Sequence, residues 1–162
     1  MAMTDGLPSV ILEAIAARLR SQLSVAEPLC FISDNPDSDP PSAGEIYYIV
    51  SPAPKGTFDG RCFDGGGQGV MTVNTMIIVT VHNSSQRDEP ARAKEMFNNA
   101  DTGLFIKAKP VIKALAGWAP ADSSDIIVNQ PLFPDNYAWY KPSRDNSSFQ
   151  VAFHLQFDWD MS

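Results

Sequence analysis

Residues 149 to 159 read Phe149-Gln-Val-Ala-Phe-His-Leu-Gln-Phe-Asp-Trp159. Every odd position is apolar: Phe149, Val151, Phe153, Leu155, Phe157 and Trp159. The even positions carry Gln150, Ala152, His154, Gln156 and Asp158. Successive side chains of a strand point to opposite faces, so this pattern predicts one apolar wall backed by a polar one. At ~3.3 Å per residue the strand would run about 35 Å, long for a globular domain. A second stretch repeats the pattern, with Met71, Val73, Thr75, Ile77, Val79 and Val81 set against Val70, Thr72, Asn74, Met76, Thr80 and His82. Two long strands with one wet face each favour an antiparallel sheet packed on one side by helices.

The rest of the chain supplies those helices and further strands. Ile11, Leu12, Ile15, Leu19 and Leu23 recur at spacings of three and four, the stripe of an amphipathic helix over residues 7–23. Pro8 suits its first turn. Leu29-Cys-Phe-Ile32 reads as a short strand buried on both faces, and Glu45-Ile-Tyr-Tyr-Ile-Val50 as another, stopped by Ser51-Pro-Ala-Pro54. Between them, residues 34–44 hold three prolines and three aspartates, the composition of a solvated loop. Residues 55–69 hold six glycines and predict a long mobile loop or extended hairpin.

Past the second long strand, Asp88 is placed to cap a helix near residues 90–100 with Ala93, Met96, Phe97 and Ala100 on its buried face. Leu104 to Leu115 predicts more helix, with Pro110 as a kink or a fresh start and Gly117 as the terminal left-handed residue. Ile126-Ile-Val128 reads as a strand, residues 131–136 as a turn, and Tyr137-Ala-Trp-Tyr140 as a candidate strand before a polar turn at 142–148. The order is helix, three strands, a helical pair, then two or three strands. That is an α+β class, without the alternation a parallel sheet requires. At 162 residues it fits a single domain, 1–162.

The totals exclude some functions. A formal net charge of −7 argues against a nucleic-acid-binding surface, which needs a basic patch to displace phosphate counterions. Cys30 and Cys62 are too few for a disulfide framework and read as two reduced thiols. The first six residues show no basic region before an apolar run, and no apolar stretch approaches the ~20 residues of a membrane span. The expectation is a soluble, intracellular product.

No catalytic, cofactor or metal site emerges. Gly65-Gly-Gly-Gln-Gly69 is followed by Val70 and Met71, not by the lysine and hydroxyl of a phosphate loop, and a strand follows where a dinucleotide fingerprint needs a helix. His82 and His154 both fall on polar strand faces and could approach one another if those strands pair. Asp158 would be the nearest third metal ligand, yet no ligand spacing supports a site, and exposed sheet histidines are the expectation. Arg61 beside Cys62 could depress a thiol pKa, weak evidence alone for a nucleophile. Asp34, Asp37 and Asp39 lack the glycine and glutamate of a calcium loop. Phe58 and Phe63 are odd choices for a merely solvated loop. With Asp59, Arg61 and Asp64 they form the candidate assembly contact.

The order of pieces resembles the tail terminator (tail completion, minor tail protein) family of long-tailed bacteriophages and prophages. The likeness rests on the helix near 7–23, the loop-interrupted meander ending at His82, the helix near 90–100, and the final strand ending in Phe157-Asp-Trp159. It spans nearly the whole chain and is carried by element order and patterning, not by a short motif. The resemblance implies a small α+β protomer in a homo-oligomeric, hexameric ring in the virion, at the head-proximal end of the tail and assembled in the host cytoplasm. The ring would stop polymerisation of the tail tube protein and offer a surface to the head-completion or connector protein, with DNA passing through its lumen unbound. No catalytic residues and no cofactor carry over, and no membrane is involved. Residues 55–69 and 34–44 are then expected at tube-facing or neighbouring-subunit contacts, and deletion of 57–68 is expected to leave a folded protein that no longer stops tails. Alternative readings are a head–tail connector or neck protein, a component of a secretion or contractile-injection system, and, from another class, a small ligand-binding or enzymatic α+β domain.

Overall fold

The structure, a computed structural model, describes residues 7–38, 46–59, 69–83, 103–143 and 146–160. The two alternating stretches form its longest strands, β4 (Val70–Asn83) and β7 (Asn146–Asp160). They pair antiparallel with each other from Val70↔Asp160 to Asn83↔Ser147, with no slip in register. One residue of slip would turn every phenylalanine of β7 toward solvent, so the two matched alternations specify this register.

Each long strand is flanked by two shorter partners in succession. Along β4 run β2 (Ile46–Pro52), opposite residues 77–83, and β3 (Thr57–Asp59), opposite 72–74, both antiparallel. Along β7 run β5 (Ile126–Val128) and β6 (Phe133–Ser143), also antiparallel. A three-residue strand, β1 (Cys30–Ile32), pairs parallel with β2 and ends the sheet. The class is α+β, with a mostly antiparallel sheet of seven strands among the described residues.

Two helices, α1 (Leu7–Leu23) and α2 (Leu104–Leu115), supply apolar stripes to the core. Ile11, Ile15 and Leu19 of α1 and Leu104, Val111 and Leu115 of α2 join Val73, Ile77, Val79, Phe149, Phe153, Leu155 and Phe157 in one buried cluster. Arg18 ties the helices together, donating to the Ala114 carbonyl at 3.1 Å while its guanidinium lies over the Trp118 ring at 5.4 Å. Both helices end as local chemistry dictates. Ser24 takes φ 53° and Val25 N–H donates back to the Arg20 carbonyl, the left-handed stop that satisfies an orphan carbonyl. Gly117, at φ 79°, follows the extended Ala116 in a turn closed by Trp118 N–H donating to the Leu115 carbonyl at 3.1 Å.

Several expectations need correction. Helix α2 runs through Pro110 as one element. The proline and Ile106, whose carbonyl loses its usual partner, both lie exposed, so water can take the bond. Strand β1 is not buried on both faces: Cys30 is, whereas Phe31 and Ile32 are half-buried, because the strand lies at the sheet edge. Residues 133–136 are strand, not turn. Pro134 is tolerated because β6 is an edge strand with a register shift between Pro134 and Asn136. Residues 57–59 belong to the sheet as well. The helix near 90–100, its cap at Asp88 and the remainder of both loops lie outside the described residues.

The chain between β2 and β3 is pressed against β4. A Cβ built on Gly56 would meet the Asn74 carbonyl oxygen at 2.7 Å and Thr75 Cβ at 3.1 Å. The oxygen belongs to the central strand and cannot give way. Gly56→Ala is therefore expected to push β3 off β4 at a cost of about 1–3 kcal/mol. Thermal unfolding and amide exchange at residues 57–59 would register this, and an unchanged midpoint would contradict the close approach.

Candidate assembly surface

Of the five candidate contact residues, two can be placed. Phe58 lies opposite Val73 and Asp59 opposite Thr72 on β3. Arg61, Phe63 and Asp64 lie outside the described residues. Phe58 is 66% exposed, so it does not pack back into the core. It stands at a mainly apolar cavity of about 260 Å³ whose walls include Ile11, Val73, Met76, Leu155 and Phe157. Such a recess beside a projecting ring can accept an apolar side chain of a partner, since burying one removes unfavourable contact with water.

The histidines do not meet. His82 lies opposite Ser148, and His154 opposite Met76, six positions along the same strand pair. That spacing is about 20 Å along a strand. Nor is His82 exposed, as the alternation predicted: it is fully buried. Its ring stacks on Tyr47 at 4.7 Å, Nε2 lies 2.6 Å from the Pro36 carbonyl oxygen, and Nδ1 lies 2.5 Å from Ser148 Oγ. A carbonyl only accepts, so Nε2 carries the proton and donates; in the neutral ring Nδ1 accepts from the serine hydroxyl. The cover over this face includes the turn at residues 33–38, closed by Asp37 N–H donating to Asn35 Oδ1 at 3.0 Å and Ser38 N–H to the Asn35 carbonyl at 3.1 Å. A second tie runs from the Tyr140 hydroxyl to Asp37 Oδ1 at 2.5 Å. Burial, and then the bond to Asp37, hold the Tyr140 phenol well above its ordinary range. Half of the supposedly solvated loop is thus an anchored turn, a role that its composition concealed.

Ser148 and His82 have the contact of a nucleophile and its base. Both are fully buried, so no substrate atom reaches the serine oxygen in this conformation, and the pair acts as structural support. His154 is half-buried, stacked on Phe133 at 4.9 Å, with Nδ1 at 3.2 Å from Gln130 Nε2. Asp158 accepts from Thr72 Oγ1 at 2.7 Å and Asn129 Nδ2 at 2.9 Å. Among the described residues no three His, Cys, Asp or Glu side chains gather as a metal site would need. Cys30 carries a free thiol. Burial pushes it up to about 11, against a smaller opposing pull from Arg20, which leaves it protonated and unreactive at neutral pH.

The surface that sequence reasoning gave only in part is β6, read as a candidate strand at 137–140 after a turn at 131–136. Residues 133–139 are all exposed, on both faces of the strand, and include Phe133, Tyr137 and Trp139 at 45%, 68% and 43%. Tyr137 stacks on Phe149 at 5.4 Å, and Phe105 of α2 meets the same ring edge-on at 4.9 Å. The result is an aromatic cluster along the sheet edge. Its signal was present in three aromatics within seven residues, the first of which fell in a stretch read as a turn.

No family model matches the chain, and no curated protein matches it. A match among solved structures is a chain of the virion of a native gene transfer agent particle. The two are 15% identical, with a TM-score of 0.55, and the alignment covers 94% of this chain and 98% of that one. At that identity the likeness establishes a shared fold from end to end.

Proposed function

We propose that this chain is a structural protein of a phage-like virion. More specifically, it would assemble as a ring on the end of a tail tube, stop tube polymerisation and present the surface to which a head attaches. The observation that carries the reading is the fold shared over nearly the whole length with a virion chain. An isolated domain borrowed into some other machine would be expected to match only part of its neighbour. Two further observations support a role in assembly over catalysis. The chemistry-bearing residues that come together, His82 and Ser148, are sealed in the core, whereas aromatic side chains lie exposed along two sheet edges. An acidic chain of formal net charge −7 also suits a lumen through which DNA must pass without sticking.

In this reading the partners are neighbouring copies, the tube protein and a head-completion or connector protein, and the protein has no enzymatic role. Phe58 and Asp59, with Arg61, Phe63 and Asp64 farther along the same segment, contact the tube or the next subunit. Deleting 57–68 would remove β3 along with the contact, so a point change is the cleaner test. Phe58→Asp places a charge at an exposed position and should leave stability within about 0.5 kcal/mol of wild type. Wild-type protein added to polymerising tubes of its own particle should yield tubes of uniform length with extra density at one end in negative stain. Phe58→Asp should yield longer, uncapped tubes. Uncapped tubes with wild-type protein, and binding to heads instead, would replace this reading with that of a neck protein.

A further inference from the structure

The charges of this chain are segregated by element. Helix α2 holds Lys107, Lys109 and Lys113 and no acidic residue, on a protein of formal net charge −7. Strands β4, β5 and β7 hold no lysine or arginine. Leu104, Val111 and Leu115 of α2 pack toward the sheet, so a helix of about 3.6 residues per turn aims Ile106, Lys109 and Lys113 away from it. All three are exposed, and among the described residues neither lysine side chain has a hydrogen-bond or ion-pair partner. The opposite side of the molecule is the sheet face without helices. The odd-numbered residues of β4 and β7 are in the core, so the even-numbered ones lie on this open face. At one end of it Val70 is opposite Asp160, Thr72 opposite Asp158, and Asp158 opposite Ile127. Alternation puts Asp125 on the same side as Ile127, and the ladder continues there, with Asp160 N–H donating to the Asp125 carbonyl at 2.8 Å. Asp125, Val70 and Ile127 are exposed. Asp158 accepts from Thr72 and Asn129, both neutral, and so keeps its charge. One side of the protein is therefore apolar with ammonium groups, and the other apolar with carboxylates.

We propose that copies of this chain stack front to back, with the outer face of α2 seated on the open end of the sheet of the next copy. Lys109 and Lys113 then meet Asp125 and Asp158 of that copy, and Ile106 is covered by its Ile127. Charge complementarity singles out a second copy as the occupant. Both halves of the contact belong to this one chain, and each face supplies the charge that the other lacks. The layers agree as well, because an open sheet face is ordinarily covered by helices, and the next copy brings one. Like faces repel: helix on helix sets lysines against lysines, and sheet on sheet sets carboxylates against carboxylates. A two-fold contact through either face is thereby disfavoured. The contact is heterologous, the kind that closes into a ring when the rotation from copy to copy allows. The inference deepens the ring reading, and rests on it for what the stack becomes, by naming the two faces through which neighbouring copies meet.

The test is sedimentation velocity of the full chain, without tubes, over a range of concentrations at low salt. Wild-type protein should associate, and raising the salt to about 1 M should weaken the association, since exposed charges are then screened. Lys109→Glu with Lys113→Glu makes both faces acidic. Asp125→Lys with Ile127→Lys, at two exposed positions, makes the sheet face basic like the helix face. Each pair alone should raise the dissociation constant about tenfold or more, because like charges then face each other. An equimolar mixture of the two variants should associate again, acidic helix face on basic sheet face, a rescue that misfolded protein cannot produce. A strictly monomeric wild type at high concentration would overturn the inference. So would association indifferent to both pairs of changes, or a mixture that stays dissociated. If the lysine changes abolished only binding to tubes, the face would belong to the tube protein and the inference would fall. Uniformly capped tubes from a wild type that stays monomeric would keep the ring reading and remove this contact. Charge-dependent association with uncapped tubes would do the reverse.

Discussion

Phe153→Ala is expected to cost about 3–5 kcal/mol of folding free energy, a large part of the stability of a domain this size. Phe153 has no exposed surface and lies opposite Ile77 in the middle of the β4–β7 pair, within the cluster that joins both helices to the sheet. Truncation removes most of a large apolar side chain and leaves a cavity that the strands on either side cannot collapse to fill. The neighbouring substitution His154→Ala provides the internal comparison. His154 points to the other face, is half-buried and makes a ring contact with Phe133 and one polar contact with Gln130, so about 1 kcal/mol is expected. Urea denaturation of both variants measures the difference. Equal losses would mean that the two faces of β7 are not as distinct as the alternation requires.

His82→Ala is expected to be the second most damaging change, at about 2–4 kcal/mol, and the damage should be local in character. The substitution removes the stack on Tyr47 and both hydrogen bonds of the ring, leaving the Pro36 carbonyl and the Ser148 hydroxyl without those partners in a buried setting. The turn at 33–38 should loosen, with faster amide exchange at Asp37 and Ser38 than elsewhere in the protein. His82→Phe separates the two contributions. It can keep the stack and the volume but not the bonds, so stability should fall between wild type and His82→Ala while the turn still loosens. If His82→Phe restored wild-type exchange at those two amides, the tie to Pro36 would not be what holds the turn.

Both predictions rest on faces of the same strands, and the two faces differ in how legible they were. The helix-bearing face was readable because its residues are apolar at a period of two, and only one arrangement buries them all. The opposite face carries Thr80, His82 and Ser148, whose polarity implied water. In the structure all three are fully buried. Polar side chains are compatible with either setting, and for His82 and Ser148 burial supplies partners distant in sequence, whereas Thr80 Oγ1 is buried without a hydrogen bond. The Pro36 carbonyl is 46 positions from His82, and Asp37 is 103 positions from Tyr140. Nothing local in Asp34-Asn-Pro-Asp37 distinguishes an anchored turn from a solvated one.

The candidate contact at Phe58 was read from an aromatic residue in glycine-rich surroundings, and the structure places that residue, exposed, on β3. The first residues of β6, with Pro134 among them, were read as a turn, since proline opposes a strand wherever its N–H would be needed. An edge strand escapes that rule, but whether a strand is an edge depends on which partner lies on its other side, a fact set by β7 and not by β6.

The amino-acid sequence by itself determined the α+β class, the two long strands with their inward faces, the apolar stripe of α1 and the left-handed stop at Gly117. Each is a periodic or single-residue signal that needs only near neighbours in the chain to act. Tertiary structure alone decided that β4 and β7 pair with each other over their whole length, that His82 is sealed beneath Pro36, and that β6 is left exposed on both faces. These follow from long-range pairing, where the free energy of a side chain is set by atoms that the chain brings to it from far along its length.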